Sequence, residues 1–393
     1  MDPTVITWWI ARKAERHPHR RFPREDGRGW CSMGEDSMPL EAWGWDQHWE
    51  AELSMFGASR GEPARVVSQE RDRWSAQTRA GPVTVRLAPG SILSLGSSPS
   101  RRPTVGDWLM VERASFEGGD AFIRTVLPRR SAFCRGSPGS GIGEQVLAAN
   151  VDVTWIVHGL DLPPNLRRLE RYLAVTWGSG SLPVVVLTKG DLAEDLDGSV
   201  AAARSAAPGV PIWATSAEDP LSVQRLRESL KPFSTVALLG PSGVGKSTLV
   251  NLLSGAEVAR TGEVRADDHR GRHTTTRREL FRIPGGALLL DTPGLRELRL
   301  PDLEHGLGQA FPEIDDLADR CHFRDCRHDS EPGCAVLEAI RLGTLDASRL
   351  ASFRKLQAEV NYQSRKSDPR AEAARVSDHK TALKTMRFHH KYR

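Results

Sequence analysis

The stretch Ser234 to Leu253, STVALLGPSGVGKSTLVNLL, limits what this chain can fold into more than any other. Val236 to Leu239 is an unbroken apolar run, as a strand buried on both faces requires. Gly240-Pro241-Ser242-Gly243-Val244-Gly245-Lys246-Ser247 follows at once and fits G-x-x-x-x-G-K-[ST]. Thr248 to Leu253 then continues with helical spacing. Strand, glycine-rich loop and helix in this order make a phosphate cradle. The glycines let successive N–H groups turn inward, and the helix start adds its unpaired donors and dipole. Lys246 is expected to reach the β- and γ-phosphates, and the Ser247 hydroxyl to ligate Mg²⁺. Residues Gly240 through Thr248 form the expected phosphate-binding set, so the chain is expected to bind a nucleotide.

A length of 393 residues allows two or three domains. With 39% apolar and 26% charged residues the composition is globular, and a net charge of +4 is too small by itself to show a nucleic-acid partner. No run approaches the ~18 apolar residues of a membrane span. Residues 1–39, rich in Arg, Pro, His, Gly and Trp, keep no sustained period. They read as a disordered extension, with Met33 or Met38 as an alternative start, and their basic cluster lies on the wrong side of a short apolar piece for a signal peptide. Leu40 to Phe56 carries enough aromatics to pack onto a neighbouring domain.

From Ala64 to Phe133, short alternating segments (ARVVSQE, RWSAQ, VTVRL, DWLMVER, AFIRTVL) are separated by turn signals, which predicts a small antiparallel barrel. Arg71, Arg73, Trp74, Arg79 and Arg86 give it the guanidinium and aromatic mix that suits nucleic acid. From Val151 the pattern alternates strand with helix, the signature of a wound, largely parallel sheet. LPVVVLT ends in Thr188-Lys189-Gly190-Asp191, and the next strand ends in Thr215-Ser216-Ala217. The Asp191 carboxylate can accept from guanine N1–H and N2–H₂, a donor pair that adenine lacks, while the Lys189 stem lies along the purine face. Asp291-Thr292-Pro293-Gly294 ends another buried strand, where Asp291 would hold Mg²⁺ through water and Gly294 N–H would sense a γ-phosphate. His273-Thr274-Thr275-Thr276 precedes it, and Thr275 is the expected second Mg²⁺ ligand. Leu295 after Gly294 cannot orient an attacking water, which leaves His273 as the candidate within this chain.

Of five cysteines, three fall between Cys321 and Cys334, in the pattern C-x₄-C-x-H-x₅-C. Cys321, Cys326, His328 and Cys334 make a closed tetrahedral Cys₃His set, the donor set of structural zinc, and this spacing points to a reducing, cytoplasmic compartment. His322 competes with His328, but its adjacency to Cys321 makes it the poorer geometric choice. A helical pattern continues to about Tyr362, and Gln363 to Arg393 forms a basic tail suited to rRNA phosphates.

In ordinary small GTPases the base-reading motif follows the phosphate loop and the D-x-x-G; in this chain it precedes both. Permutation of this kind is tolerated where domain termini lie close. Together with Ala149-Asn150-Val151-Asp152, Gly271 to Thr276 and the cysteine cluster, these motifs resemble the circularly permuted, small-ribosomal-subunit-dependent GTPase A family, over roughly Leu40 to Phe353. The resemblance implies an N-terminal oligonucleotide-binding (OB-like) all-β barrel at 40–133. It also implies a circularly permuted α/β P-loop GTPase domain at 134–298 and a helical zinc-binding domain with basic tail at 299–393. It implies GTP hydrolysis stimulated by the small ribosomal subunit during late maturation, with GTP or GDP, Mg²⁺, one zinc ion and rRNA as partners; the residues themselves suggest nothing beyond a monomer and no membrane partner. The alternatives are a P-loop ATPase or kinase with a structural zinc, and a non-catalytic RNA-binding assembly factor. One departure is Thr188, where GTPases usually carry Asn, which puts a purine or loop-bridging contact in doubt.

Overall fold

The structure is a computed structural model that describes residues 39–55, 61–70, 72–87, 102–113, 120–136, 144–257, 278–291 and 303–367. The extension before residue 39, Arg71 and the tail beyond 367 lie outside the described residues.

A helix, α1 (Gln47–Met55), precedes five short strands: β1 (Glu62–Glu70), β2 (Arg73–Thr78), β3 (Gly81–Leu87), β4 (Trp108–Arg113) and β5 (Ala121–Val126). They pair in the order β1-β2-β3-β5-β4, and β4 pairs back onto β1 to close a barrel. The barrel departs from a wholly antiparallel one at β3 and β5, which run parallel with Val85 opposite Ala121. A ring of five strands cannot alternate direction all the way round, so at least one pair must be parallel. Trp74 is 1% exposed and donates its indole N–H to Pro103 O at 3.1 Å. It is therefore part of the barrel core, which corrects its expected place on a nucleic-acid surface. Arg79 pairs with Glu50 and Arg86 with Asp120, while Arg73 is exposed. Trp45 and Trp49 pack on Trp108, with ring centroids 4.7 and 6.0 Å away. On its other side the same segment meets the α/β unit, where a Cβ on Gly44 would lie 3.1 Å from Phe233 O.

A hairpin of β6 (Ala132–Gly136) and β7 (Glu144–Ala149) follows, and the division expected at 133/134 falls inside β6. Next come β8 (Val153–Gly159), α2 (Leu166–Gly178), β9 (Leu182–Thr188), α3 (Leu196–Ala206), β10 (Ile212–Ala214) and α4 (Pro220–Glu228). The phosphate-loop strand and helix are β11 (Thr235–Leu239) and α5 (Lys246–Ser254), followed by β12 (Arg278–Arg282) and β13 (Leu288–Asp291). The strand order is β10-β9-β8-β11-β13-β12, parallel except for the β12/β13 pair. Asn165 caps α2 by accepting the Arg168 N–H at 3.0 Å, and Leu169 and Leu173 turn inward while Leu166 of the same face is half-buried. The outer side of β12 pairs with β1, Ser68 opposite Glu279 and Gln69 opposite Arg278. Barrel and α/β sheet thus share one hydrogen-bonded ladder.

The C-terminal helices are α6 (Leu303–Ala310), α7 (Pro312–Ala318), α8 (Ala335–Arg341) and α9 (Ala347–Ser367), the last two separated at Gly343, whose φ is +72°. A Cβ on Gly306 would lie 2.1 Å from Ala174 O, so α6 rests backbone to backbone on α2. Arg349 of α9 locks this packing. It is 7% exposed and donates to Glu170 Oε1 at 2.8 Å and to Glu313 Oε1 at 2.7 Å. It also donates to Ala206 O at 3.2 Å and Ala310 O at 3.1 Å, and it lies 4.4 Å over the Phe311 ring. Among the described residues no helix is long and apolar enough to cross a membrane.

Removing Arg349 alone strands the buried Glu170 carboxylate. Arg349→Met is expected to cost about 3–5 kcal/mol in chemical denaturation, and adding Glu170→Gln to recover part of that loss, because the uncompensated charge is then gone.

Candidate functional site

Strands β8, β9, β10, β11 and β13 run parallel, so the loops that follow them leave from one edge of the sheet, where ligands of such sheets bind. β11 is buried at all five positions. At Gly240 the chain leaves it in contact with β8, because a Cβ there would lie 2.4 Å from Val157 O. Gly243 and Gly245 take φ of +79° and +87°, and Gly245 is the cap of α5. These left-handed residues turn the loop back on itself. Lys246 donates its Nζ protons to Gly240 O at 2.8 Å and to Pro241 O, inside the loop it completes. Ser247 is half-buried on the first turn of α5, whereas Ser242 and Thr248 are exposed.

The loop expected to read the base lies against this cradle. Thr188, 6% exposed, has its hydroxyl 2.5 Å from Val244 O and 3.1 Å from His158 O. It has one proton to give, and the shorter contact is to Val244. The loop-bridging contact placed in doubt by a threonine at this position is therefore made. Lys189 takes φ +57° and opens a single turn of 3-10 helix, Gly190–Leu192. Gly190 N–H donates to Thr215 O at 3.1 Å, and the Ser216 hydroxyl donates to Asp191 Oδ1 while accepting Glu218 N–H at 3.0 Å. The loop carrying Ser216 and Ala217 is thereby joined to the one carrying Asp191. Asp291 ends β13 with its backbone opposite Glu279. His273, Thr275 and Gly294 lie outside the described residues.

Three residues at the opposite edge of the sheet, where β8 and β11 begin, were assigned no role by the sequence motifs. Arg65 of β1 is 2% exposed and donates to Thr235 Oγ1 at 3.1 Å and to Asn150 O at 3.3 Å, with its guanidinium 4.9 Å over Trp108. Burial pushes it down to about 10, against the opposing pull of Asp152 and Asp107, so it stays charged at neutral pH. Asp152 Oδ2 accepts the Thr235 N–H at 2.9 Å. Asn150, with φ +54°, donates to Gly106 O and accepts from Arg130 N, both at 2.9 Å. Asn150 and Asp152 were visible as part of a motif. A buried arginine in a strand covered on both faces leaves no periodic signal.

Cys321, Cys326, His328 and Cys334 bring one ligand atom each within 4.8 Å of one another. His328 Nδ1 is 3.6 Å from Cys321 Sγ and 3.4 Å from Cys334 Sγ, and these two sulfurs are 3.9 Å apart. Bonds of about 2.3 Å to a tetrahedral metal set sulfurs about 3.8 Å apart, so the donor set fits. Burial lowers the His328 pKa, which favours the neutral, ligating imidazole. Burial raises the Cys321 thiol, but the N–H groups of Ala335 and Val336 at the start of α8 bring it below its ordinary value. Arg354 of α9 donates to His328 O and ties the metal loop to the long helix.

The chain is similar to known proteins in sequence and in fold. The family model for the RsgA GTPase matches residues 126–301. The small ribosomal subunit biogenesis GTPase RsgA of Opitutus terrae is 44% identical over 340 residues, 84% of this chain and 92% of that protein. The protein of the same name from Streptomyces avermitilis is 42% identical over 345 residues, 87% and 91% of the two chains. Among solved structures, YjeQ from Thermotoga maritima matches with a TM-score of 0.56 at 25% identity, covering 76% of this chain and 98% of that one. YloQ, described as a circularly permuted GTPase, matches with a TM-score of 0.56 at 21% identity over 78% and 97%, a likeness of fold.

Elemental analysis of the purified chain is expected to find a single ion held by the cysteine cluster, and Cys334→Ser to lose it together with the C-terminal helical signal in circular dichroism. Thr188→Val keeps the side-chain shape and removes the bridging proton. It is expected to weaken nucleotide binding by about tenfold in equilibrium titration, whereas Thr188→Ser retains most of the affinity.

Proposed function

This chain belongs to the RsgA GTPase family, and we propose that it hydrolyses GTP during assembly of the small ribosomal subunit, which stimulates its turnover. The observation that carries the reading is the Thr188–Val244 hydrogen bond, which sets a guanine-reading loop beside a phosphate cradle although it comes earlier in the chain. The family relatives carry the partner in their name, at 42–44% identity over most of the chain.

In this reading each residue of the site has a role. The Asp191 carboxylate, oriented by the Ser216 hydroxyl, accepts from guanine N1–H and N2–H₂. Lys189 lies along the purine, and Ser216 and Ala217 complete the base-binding set. Lys246 exchanges its two loop carbonyls for the β- and γ-phosphate oxygens. Ser247, Thr275 and Asp291 would hold Mg²⁺, which neutralises charge on those oxygens when bound. Gly294 senses the γ-phosphate, and His273 orients the attacking water, since Leu295 has no polar atom to offer. The Cys₃His cluster holds zinc as a structural ion that fixes the loop between α7 and α8. With Trp74 in the core, RNA contact rests on exposed arginines such as Arg73 and on the basic tail rather than on stacking. The protein acts as a monomer in the cytoplasm, where its ribosomal partner is assembled.

GTPase activity titrated with purified small and large subunits tests the reading, and a rise with small subunits alone is expected. In the same assay His273→Ala is expected to lower the stimulated rate by about a hundredfold or more at normal GTP affinity. An unchanged rate removes that residue from the mechanism. Lys246→Ala should abolish binding, and ATP should compete with GTP less well by on the order of 10⁴, because adenine offers the Asp191 carboxylate no donor pair.

A further inference from the structure

Asp161 belongs to none of the nucleotide-binding motifs, yet it stands where three parts of the site converge. It follows β8 by two residues, in a turn fixed to the base-reading strand by Leu160 N–H donating to Thr188 O at 2.9 Å. Its Oδ2 is 2.7 Å from Lys189 Nζ. Beside them lies Gly159, whose φ is outside the left-handed region and whose bare Cα leaves space for the Asp161 carboxylate. A Cβ at that position would lie 2.6 Å from Asp161 Oδ1, 3.5 Å from Lys189 Cδ and 3.5 Å from Val244 Cα. Carboxylate, lysine stem and phosphate loop all border the space on this side of Gly159.

Lys189 is therefore held at both ends. Its backbone is fixed by φ +57°, by Leu192 N–H donating to Lys189 O at 3.0 Å and by the neighbouring Gly190–Thr215 bond. Its tip is fixed by Asp161. The ion pair is partly exposed, with side chains 30% and 44% accessible, so it adds little to fold stability. Its effect is on conformation: a lysine with a free tip spreads over many rotamers, and ordering it on binding costs affinity.

We propose that Asp161 is a positioning residue for the guanine pocket, holding the Lys189 stem along the purine slot before nucleotide enters. This rests on the reading of Lys189 and Asp191 as the base-reading pair.

The test is equilibrium binding of GMP, GDP and a non-hydrolysable GTP analogue to the full chain and to its Asp161→Asn and Asp161→Ala variants, with ADP alongside. Both variants are expected to bind all three guanine nucleotides about three- to tenfold more weakly, by the same factor, because Lys189 meets the nucleoside and not the phosphates. In a Lys189→Met background, which keeps the stem and removes its charge, Asp161→Asn is expected to change nothing further. Wild-type affinity in Asp161→Asn, a loss that grows with phosphate number, or a loss that persists in Lys189→Met would each overturn the proposal. If the unaltered chain bound ADP as well as GDP, the guanine reading itself would fall and this proposal with it. An undiminished Asp161→Asn in a guanine-preferring chain overturns this proposal alone.

Discussion

Parallel pairing of β8 with β11, Val153 opposite Val236 through Ile156 opposite Leu239, is the constraint from which the site follows. Parallel neighbours send their carboxyl ends to the same edge, whatever order the chain visits them in. β9 joins β8 on one side and β13 joins β11 on the other, so Thr188, Gly240 and the end of β13 at Asp291 emerge together. The permutation changes which loops are covalently continuous and leaves the edge itself intact. Gly240, with no room for a Cβ against Val157 O, shows how closely the two strands approach where the phosphate loop begins.

Two buried arginines hold the flanking units to this sheet. Arg65 reaches from the barrel to the first residue of β11, and Arg349 reaches from α9 to α2 and α3. Each takes carbonyl or hydroxyl partners whose positions are set by backbone, and Arg349 adds two carboxylates. Such joints favour one docking angle over all others, since a small rotation leaves a charged group unpaired in a dry place. The barrel and the C-terminal helices are thereby fixed to the sheet at places other than its loop edge.

Much of this could be seen in the residues alone. The phosphate loop, the strands around it and the Cys₃His spacing are legible because each is dictated by neighbours within a few positions: glycines where φ must be positive, apolar runs where both faces are covered, thiolates at ligand spacing. The choice of His328 over His322 needed only adjacency. What stayed hidden depends on partners distant in sequence. Trp74 sits among arginines, and only barrel closure shows that the alternation puts it inside. Thr188 gives no sign that its hydroxyl spans to Val244, fifty-six positions on. Arg65 and Arg349 read as surface residues until the elements that cover them are in place. Asp161 has no motif at all, and Gly159 beside it becomes meaningful only through what crowds it.

The seam between β1 and β12 has a further consequence for the chain as a folding polymer. With the barrel in place, β12 has a neighbour on each side. A chain cut down to its α/β portion would present that strand as an edge, its unpaired N–H and C=O groups open to any extended peptide, including a second copy of itself. The barrel is, in this sense, a guard against self-association of the enzyme it serves.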